Sequence, residues 1–173
     1  MTFSSNFNVK PASWHGIVLF SAAFWLSSSL LIDFLVMPGM FFSGMMSQSN
    51  FGTAGYSLFW SFNRLELLCG ALILTGILVL RQQRSEAEIL VSGARSRWSL
   101  ELGAFLLGIA LLYTYLLTPT MSSLGIPLDL FQSEGTPAGM DQLHAFYWAL
   151  ETLKLAGTAF LLKLCYSDLQ ASR

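Results

Sequence analysis

Charge is what this chain has least of. Asp, Glu, Lys and Arg make up 11% of its 173 residues, against about 25% in an average soluble domain. The net charge is −1, which leaves no basic footprint for a nucleic-acid partner. Histidine occurs only at 15 and 144, and cysteine only at 69 and 165. Cys69 lies in the middle of one apolar run and Cys165 at the end of another. Those depths are too different for a disulfide, and two lone thiols fall short of a metal set, so both read as small apolar filler. There is no CxxC, CxxCH or HExxH motif. Nor are there paired Glu-x-x-His segments for a di-iron site, or a Ser or Cys nucleophile with a base beside it. The sequence therefore offers no catalytic residue and no metal-ligand set.

What remains is apolar. Hydrophobic residues make up 54% of the chain, with 14 Phe and 5 Trp, and the mean hydropathy is +0.58. Aromatic residues at this density suit lipid and its interfaces. Four runs are long enough to cross a bilayer, about 14–37, 54–80, 98–117 and 141–164, given about 20 residues per crossing. Residues 1–13 form a polar leader without the form of a cleaved signal, so the first span is expected to stay in the mature protein. Pro11 suits a helix start, and Met37-Pro38-Gly39 is expected to end the first helix. Ala22, Ala23 and Ser27 to Ser29 form a small-residue tract of the kind that lets helices approach closely in lipid. Residues 81–97 read as an aqueous loop with four Arg and two Glu. Trp98 anchors the third span at an interface, and Pro119 is expected to close or kink it. Residues 118–140 read as an outer loop. Asp141 is expected to cap the fourth span, and 165–173 form a tail. The fold class that follows is all-α, an integral membrane four-helix bundle in one domain.

Orientation follows from the cations. Arg81, Arg84, Arg95 and Arg97 sit between spans two and three, and Lys10, Lys163 and Arg173 near the termini, while the two other connectors have no Lys or Arg. The positive-inside rule places both termini and the Arg-rich loop in the cytoplasm.

The scarce charges are not confined to loops. Asp33 lies in the first span, Asn63, Arg64 and Glu66 in the second, and His144, Glu151 and Lys154 in the fourth. At about 1.5 Å per residue, Asp33 lies about four residues in from the outer surface. On the same count, Asn63 to Glu66 lie about nine to twelve in, and His144, Glu151 and Lys154 about three, ten and thirteen. His144, Tyr147 or Trp148, Glu151 and Lys154 or Leu155 share one helical stripe, and Asn63, Glu66 and Gly70 share another. An unpaired charge at mid-bilayer costs about 2.5–3.5 kcal/mol on insertion scales, so these groups are expected to face inward and pair. Arg64 is expected to meet Glu151 or Asp33, and Lys154 to meet Glu66. Against Arg64 and Lys154, the three carboxylates leave one net negative charge, which a protonated His144 would balance. Glu101 enters from the other side and is expected to stand apart. The cluster supports two readings, a proton or ion relay and a set of neutralised pairs that fix helix register. His144 is also a candidate single axial ligand for a tetrapyrrole, with no second His at its depth.

Three segments, DFLVMPGMFFSGMM (33–46), LFWSFNRLE (58–66) and MDQLHAFYWALETLKL (140–155), carry a resemblance. The chain resembles the transmembrane-protein-205-like family of small four-helix membrane proteins, domain of unknown function 4149. In wording it is similar to members from oxygenic phototrophs, which implies a plasma or thylakoid membrane. The family has no agreed activity to carry over. The expected function is a non-enzymatic accessory or assembly factor, with the bilayer and other membrane proteins, or further copies of itself, as partners. The alternative is a small oligomeric transporter or channel using an intramembrane acidic and His relay.

Overall fold

A computed structural model describes residues 11–45, 48, 51–86, 94–131 and 138–171. They form four helical rods. The first, α1, is the helix Pro11–Leu31, the π turn Ile32–Val36 and the helix Met37–Phe42. The second, α2, is the single helix Phe51–Glu86. The third, α3, is the helix Ala94–Leu112, the π turn Tyr113–Leu117 and the helix Thr118–Phe131. The fourth, α4, is the helix Met140–Ala171. Pro11 opens α1, where a missing N–H costs nothing. Gly44, at φ 72°, follows the end of that rod in a left-handed conformation open to glycine.

Pro38, expected to end the first helix, instead sits inside a continuous rod, and Pro119 does not close the third. Pro38 and Pro119 each follow a π turn by two residues, and α1 runs on to Phe42 and α3 to Phe131. A π turn widens the backbone ladder, which accommodates a proline ring and its missing donor. The outer loop expected at 118–140 is thus helical over Thr118–Phe131; its residues 132–137 lie outside the described residues. The helices also run into the Arg-rich loop, to Glu86 from one side and from Ala94 on the other. Asp141 is not the N-cap of α4. It lies within the first turn, preceded by Gly139 at φ 89°, where a carboxylate still complements the helix dipole.

The rods form a square in which α1 packs on α2 and α4, and α3 packs on the same two. One end of the square, here the terminal end, is where α1 begins, α2 ends, α3 begins and α4 ends. The opposite, distal end is where α1 ends and α2 begins. The terminal half is filled by an apolar layer that includes Val18, Ala22, Ile73, Ile77, Leu106 and Leu161. Backbones approach closely there, and a Cβ added at Gly76 would lie 2.3 Å from a methyl of Val18. The small tract of α1 divides, with Ala22 and Ser29 buried and Ala23 and Ser27 exposed.

Outward, the bundle shows large apolar side chains on every rod, among them Phe20, Phe34, Leu68, Tyr115, Leu153 and Phe160. A surface of that kind belongs in lipid. Among the described residues, three stretches are long and apolar enough to cross a membrane, Trp14–Phe42, Phe51–Gln83 and Arg97–Leu124. The fourth rod, 32 residues long, is less apolar because Glu151 and Lys154 interrupt it, and both point inward. The protein is an all-α, multi-pass membrane bundle.

Candidate functional site

Two elements set up the site. In α1 the π turn turns both Ile32 and Asp33 inward, and in α3 the second π turn buries Tyr113 and Leu117. A regular helix would carry each following residue a further 100° around its axis. Asp33 follows Trp25 and Ser29 at four-residue spacing, and Tyr113 follows Leu106 and Ile109 at successive spacings of three and four, so both polar groups lie on the inward faces of their rods. Glu66 from α2 and Glu151 and Lys154 from α4 complete the cluster. Lys154 is 2% exposed, Glu66 1% and Glu151 0%.

Lys154 is the hub. Its ammonium pairs with Glu66 Oε1 across the diagonal of the square, and with Glu151 Oε2 at 2.7 Å on its own helix. It also lies 5.1 Å from the Tyr113 ring centre. Glu66 Oε1 accepts further hydrogen bonds from Trp25 Nε1 at 2.9 Å and Ser29 Oγ at 3.4 Å. The Tyr113 hydroxyl donates to Glu151 Oε2 at 3.0 Å, and the Tyr147 hydroxyl to Asp33 Oδ1 at 3.0 Å. The two tyrosine rings stack with centres 5.3 Å apart. The Asp33 and Glu151 carboxyls are neighbours, linked through the stacked Tyr147 and Tyr113 rings whose hydroxyls hold one oxygen of each. Asn63 stands slightly apart, donating to Thr118 Oγ1 at 2.7 Å and tying α2 to α3.

Of the seven polar residues singled out in the sequence, the structure brings together Asp33, Glu66, Glu151 and Lys154, with Asn63 one turn away. Lys154 meets Glu66 as expected. Arg64 does not meet Glu151 or Asp33. It is exposed on the outer flank of α2, its guanidinium 3.6 Å from the centre of the Trp60 ring. With Glu66 facing inward, Arg64 two residues earlier lies about 200° around the helix and faces out, and its depth makes that position tolerable. Counted from the exposed Arg81 and Arg97, about twenty residues of hydrocarbon reach Ser61 on α2 and Leu117 on α3. Arg64 is thus close enough to the distal interface for its head to snorkel, stacked on an interfacial tryptophan. His144 is exposed on the rim and does not balance the cluster. His15 lines a small pocket at the terminal end, and Glu101 is exposed and separate as expected. The sequence reading did not single out Trp25, Ser29 and Tyr113. Spacing carries a trace of the first two, since Trp25, Ser29 and Asp33 recur every fourth residue on one face of α1.

With Arg64 turned out, three buried carboxyls face one ammonium, a larger acidic surplus than the sequence implied. Three carboxyl oxygens, Asp33 Oδ2, Glu66 Oε2 and Glu151 Oε1, have no conventional donor. Above the cluster, at the distal end, lies a cavity of about 330 Å³. Asp33 and Tyr147 belong to its lining, with Tyr56, Phe59, His144 and Trp148 among its walls. On the terminal side the apolar layer of Val18, Ile73, Ile77 and Leu106 underlies the cluster. The acidic centre, among the described residues, is therefore bordered by a cavity on its distal side and by packed apolar side chains on its terminal side. Among the described residues no three His, Cys, Asp or Glu side chains converge as a metal set. No protein-family model, no curated protein and no solved structure matches the chain.

Proposed function

We propose that this chain is a small membrane carrier in which the Asp33–Glu151 pair takes up and releases a proton. The single observation that supports this most is a surplus of buried carboxyls beneath a cavity open at one end. Two neighbouring buried carboxylates repel each other, and a proton held between them relieves that repulsion. An ion left uncompensated in a dry interior costs several kcal/mol, so the cluster gains by keeping that proton and can exchange it through the cavity. His144 on the rim, Asp33, Glu151, Lys154 and Glu66 then form the relay, with Tyr113 and Tyr147 as hydroxyl bridges. Four rods leave little room for a second path, so the working unit is an oligomer. By the positive-inside rule both termini and the segment bearing Arg81, Arg84, Arg95 and Arg97 face the cytoplasm, and the resemblance to the transmembrane-protein-205-like family implies a plasma or thylakoid membrane.

The test is proton flux into liposomes containing the purified chain, driven by an imposed potential and read with an entrapped pH dye. Wild type is expected to exceed empty liposomes, and Glu151→Gln to return to their level. Flux that is unchanged in both Glu66→Gln and Glu151→Gln removes the reading.

A second reading, an accessory factor that binds other membrane proteins, is favoured by the outward Arg64. A cation on the lipid-facing flank of α2 offers a partner helix a site for a carboxylate. Co-migration with a larger complex in mild-detergent extracts supports it, and migration as free monomer or self-oligomer counts against it.

A further inference from the structure

We infer that the distal cavity binds a hydrophobic organic cation, a molecule with an apolar body and a quaternary or protonated amine. The inference rests on the carrier reading for what the bound cation does, not for the binding itself.

The argument begins with the walls. The cavity's volume of about 330 Å³ falls within the roughly 300–1,000 Å³ usual for small-molecule sites. Five aromatic residues line it, Phe51, Tyr56, Phe59, Tyr147 and Trp148. Aromatic faces carry negative potential, and several around one space form the cage that receives ammonium groups. Three of the rings hold one another in place, Phe59 edge-on to Tyr147 with centres 6.0 Å apart, and Tyr147 edge-on to Trp148 at 5.9 Å. Met37, Met121 and Met140 complete the apolar lining, and thioethers adapt to ligands of varied shape.

The floor supplies the charge. Among the described residues Asp33 is the one carboxylate in the lining, and no Lys or Arg belongs to it. Asp33 is 4% exposed, and its Oδ2 has no donor. Its other oxygen is held by the Tyr147 hydroxyl, so a wall ring also orients the carboxylate. An anion at this floor would meet Asp33 with Glu151 behind it, and His144 on the exposed rim is the one basic side chain among the described walls. A neutral apolar molecule would leave the buried carboxyl unanswered. A cation with an apolar body satisfies both surfaces.

The experiment is calorimetric titration of the full chain in a maltoside detergent. The probes are phenyltrimethylammonium and tert-butylbenzene, which share a shape and differ in charge. Saturable binding of the cation at least about tenfold tighter than the neutral molecule is expected, from the ring contacts together with the carboxylate. Asp33→Asn is expected to bring the two probes within about threefold of each other, and Phe59→Leu to weaken the cation about threefold without affecting the neutral probe. No saturable binding by wild type, equal binding of both probes, or wild-type preference in Asp33→Asn overturns the inference. Should Asp33→Asn fail to fold, the paired probes and Phe59→Leu decide it. Proton flux without cation binding removes this site and leaves the carrier reading. Cation binding without flux does the reverse.

Discussion

The two halves of the bundle are built on opposite principles. In the terminal half the helices are regular, the interior is apolar, and glycine brings the backbones together, as where Gly76 meets Val18. In the distal half two rods are widened by π turns, four ionisable side chains meet, and a cavity remains open above them. Close packing in lipid is the main source of attraction between helices, and the terminal half supplies it. Burying charge is costly even when paired, and that cost falls on the distal half. The contrast suggests a division of labour in which a rigid base holds together a top whose own interactions do not favour a closed, dry interior. π turns commonly mark such functional stretches.

The comparison is broken most severely at its charged centre. Lys154→Met leaves Glu66 and Glu151 without their cation, and a loss of about 3–5 kcal/mol is expected, since removing one partner of a buried pair strands the other. Thermal unfolding in detergent, followed by helical circular dichroism, would show it. Adding Glu66→Gln and Glu151→Gln to Lys154→Met should recover most of that loss, because the stranded charges go with the cation. If the triple variant is no more stable than Lys154→Met, the cost lies in packing and not in charge.

At the base, Gly76→Val should cost about 1–3 kcal/mol, the usual range for overpacking, because a methyl of Val18 occupies the space. Gly16 and Gly108, with nothing within 4 Å of an added Cβ, serve as controls that should accept alanine with little change. Smaller still is Thr118→Val, which removes the acceptor of Asn63. A loss of about 0.6 kcal/mol is expected, the average for hydrogen bonds between membrane helices. Arg64→Gln should fall within about 0.5 kcal/mol, as for other surface changes, and a loss of several kcal/mol would mean that Arg64 is buried against a partner.

Particular residues show what could be read in advance. The pairing of Lys154 with Glu66 follows from depth counting and helical spacing, because both sit on inward stripes at the same level. Arg64 has nearly the same depth and was expected inside. Its direction depends on how α2 is rotated, and lipid tolerates a long cation that reaches the interface beside a tryptophan. Pro38 misled for another reason. Pro38 and Pro119 break an α-helical ladder, but a widened turn two residues earlier absorbs each one, and periodicity carries no signal for such a turn. Tyr113 lies in an apolar run and reads as core until its hydroxyl is found on Glu151.

By itself the sequence determined that the chain is helical, that it belongs in a membrane, and that its few interior charges must be answered. Those conclusions depend on composition and on the cost of ions in hydrocarbon, which hold whatever the helices' arrangement. Only the tertiary structure decided which charges meet, that the acidic residues outnumber the cation among them, and that a cavity opens over Asp33. Each of these depends on the rotation of a rod about its own axis, set by packing against neighbours far away in the chain.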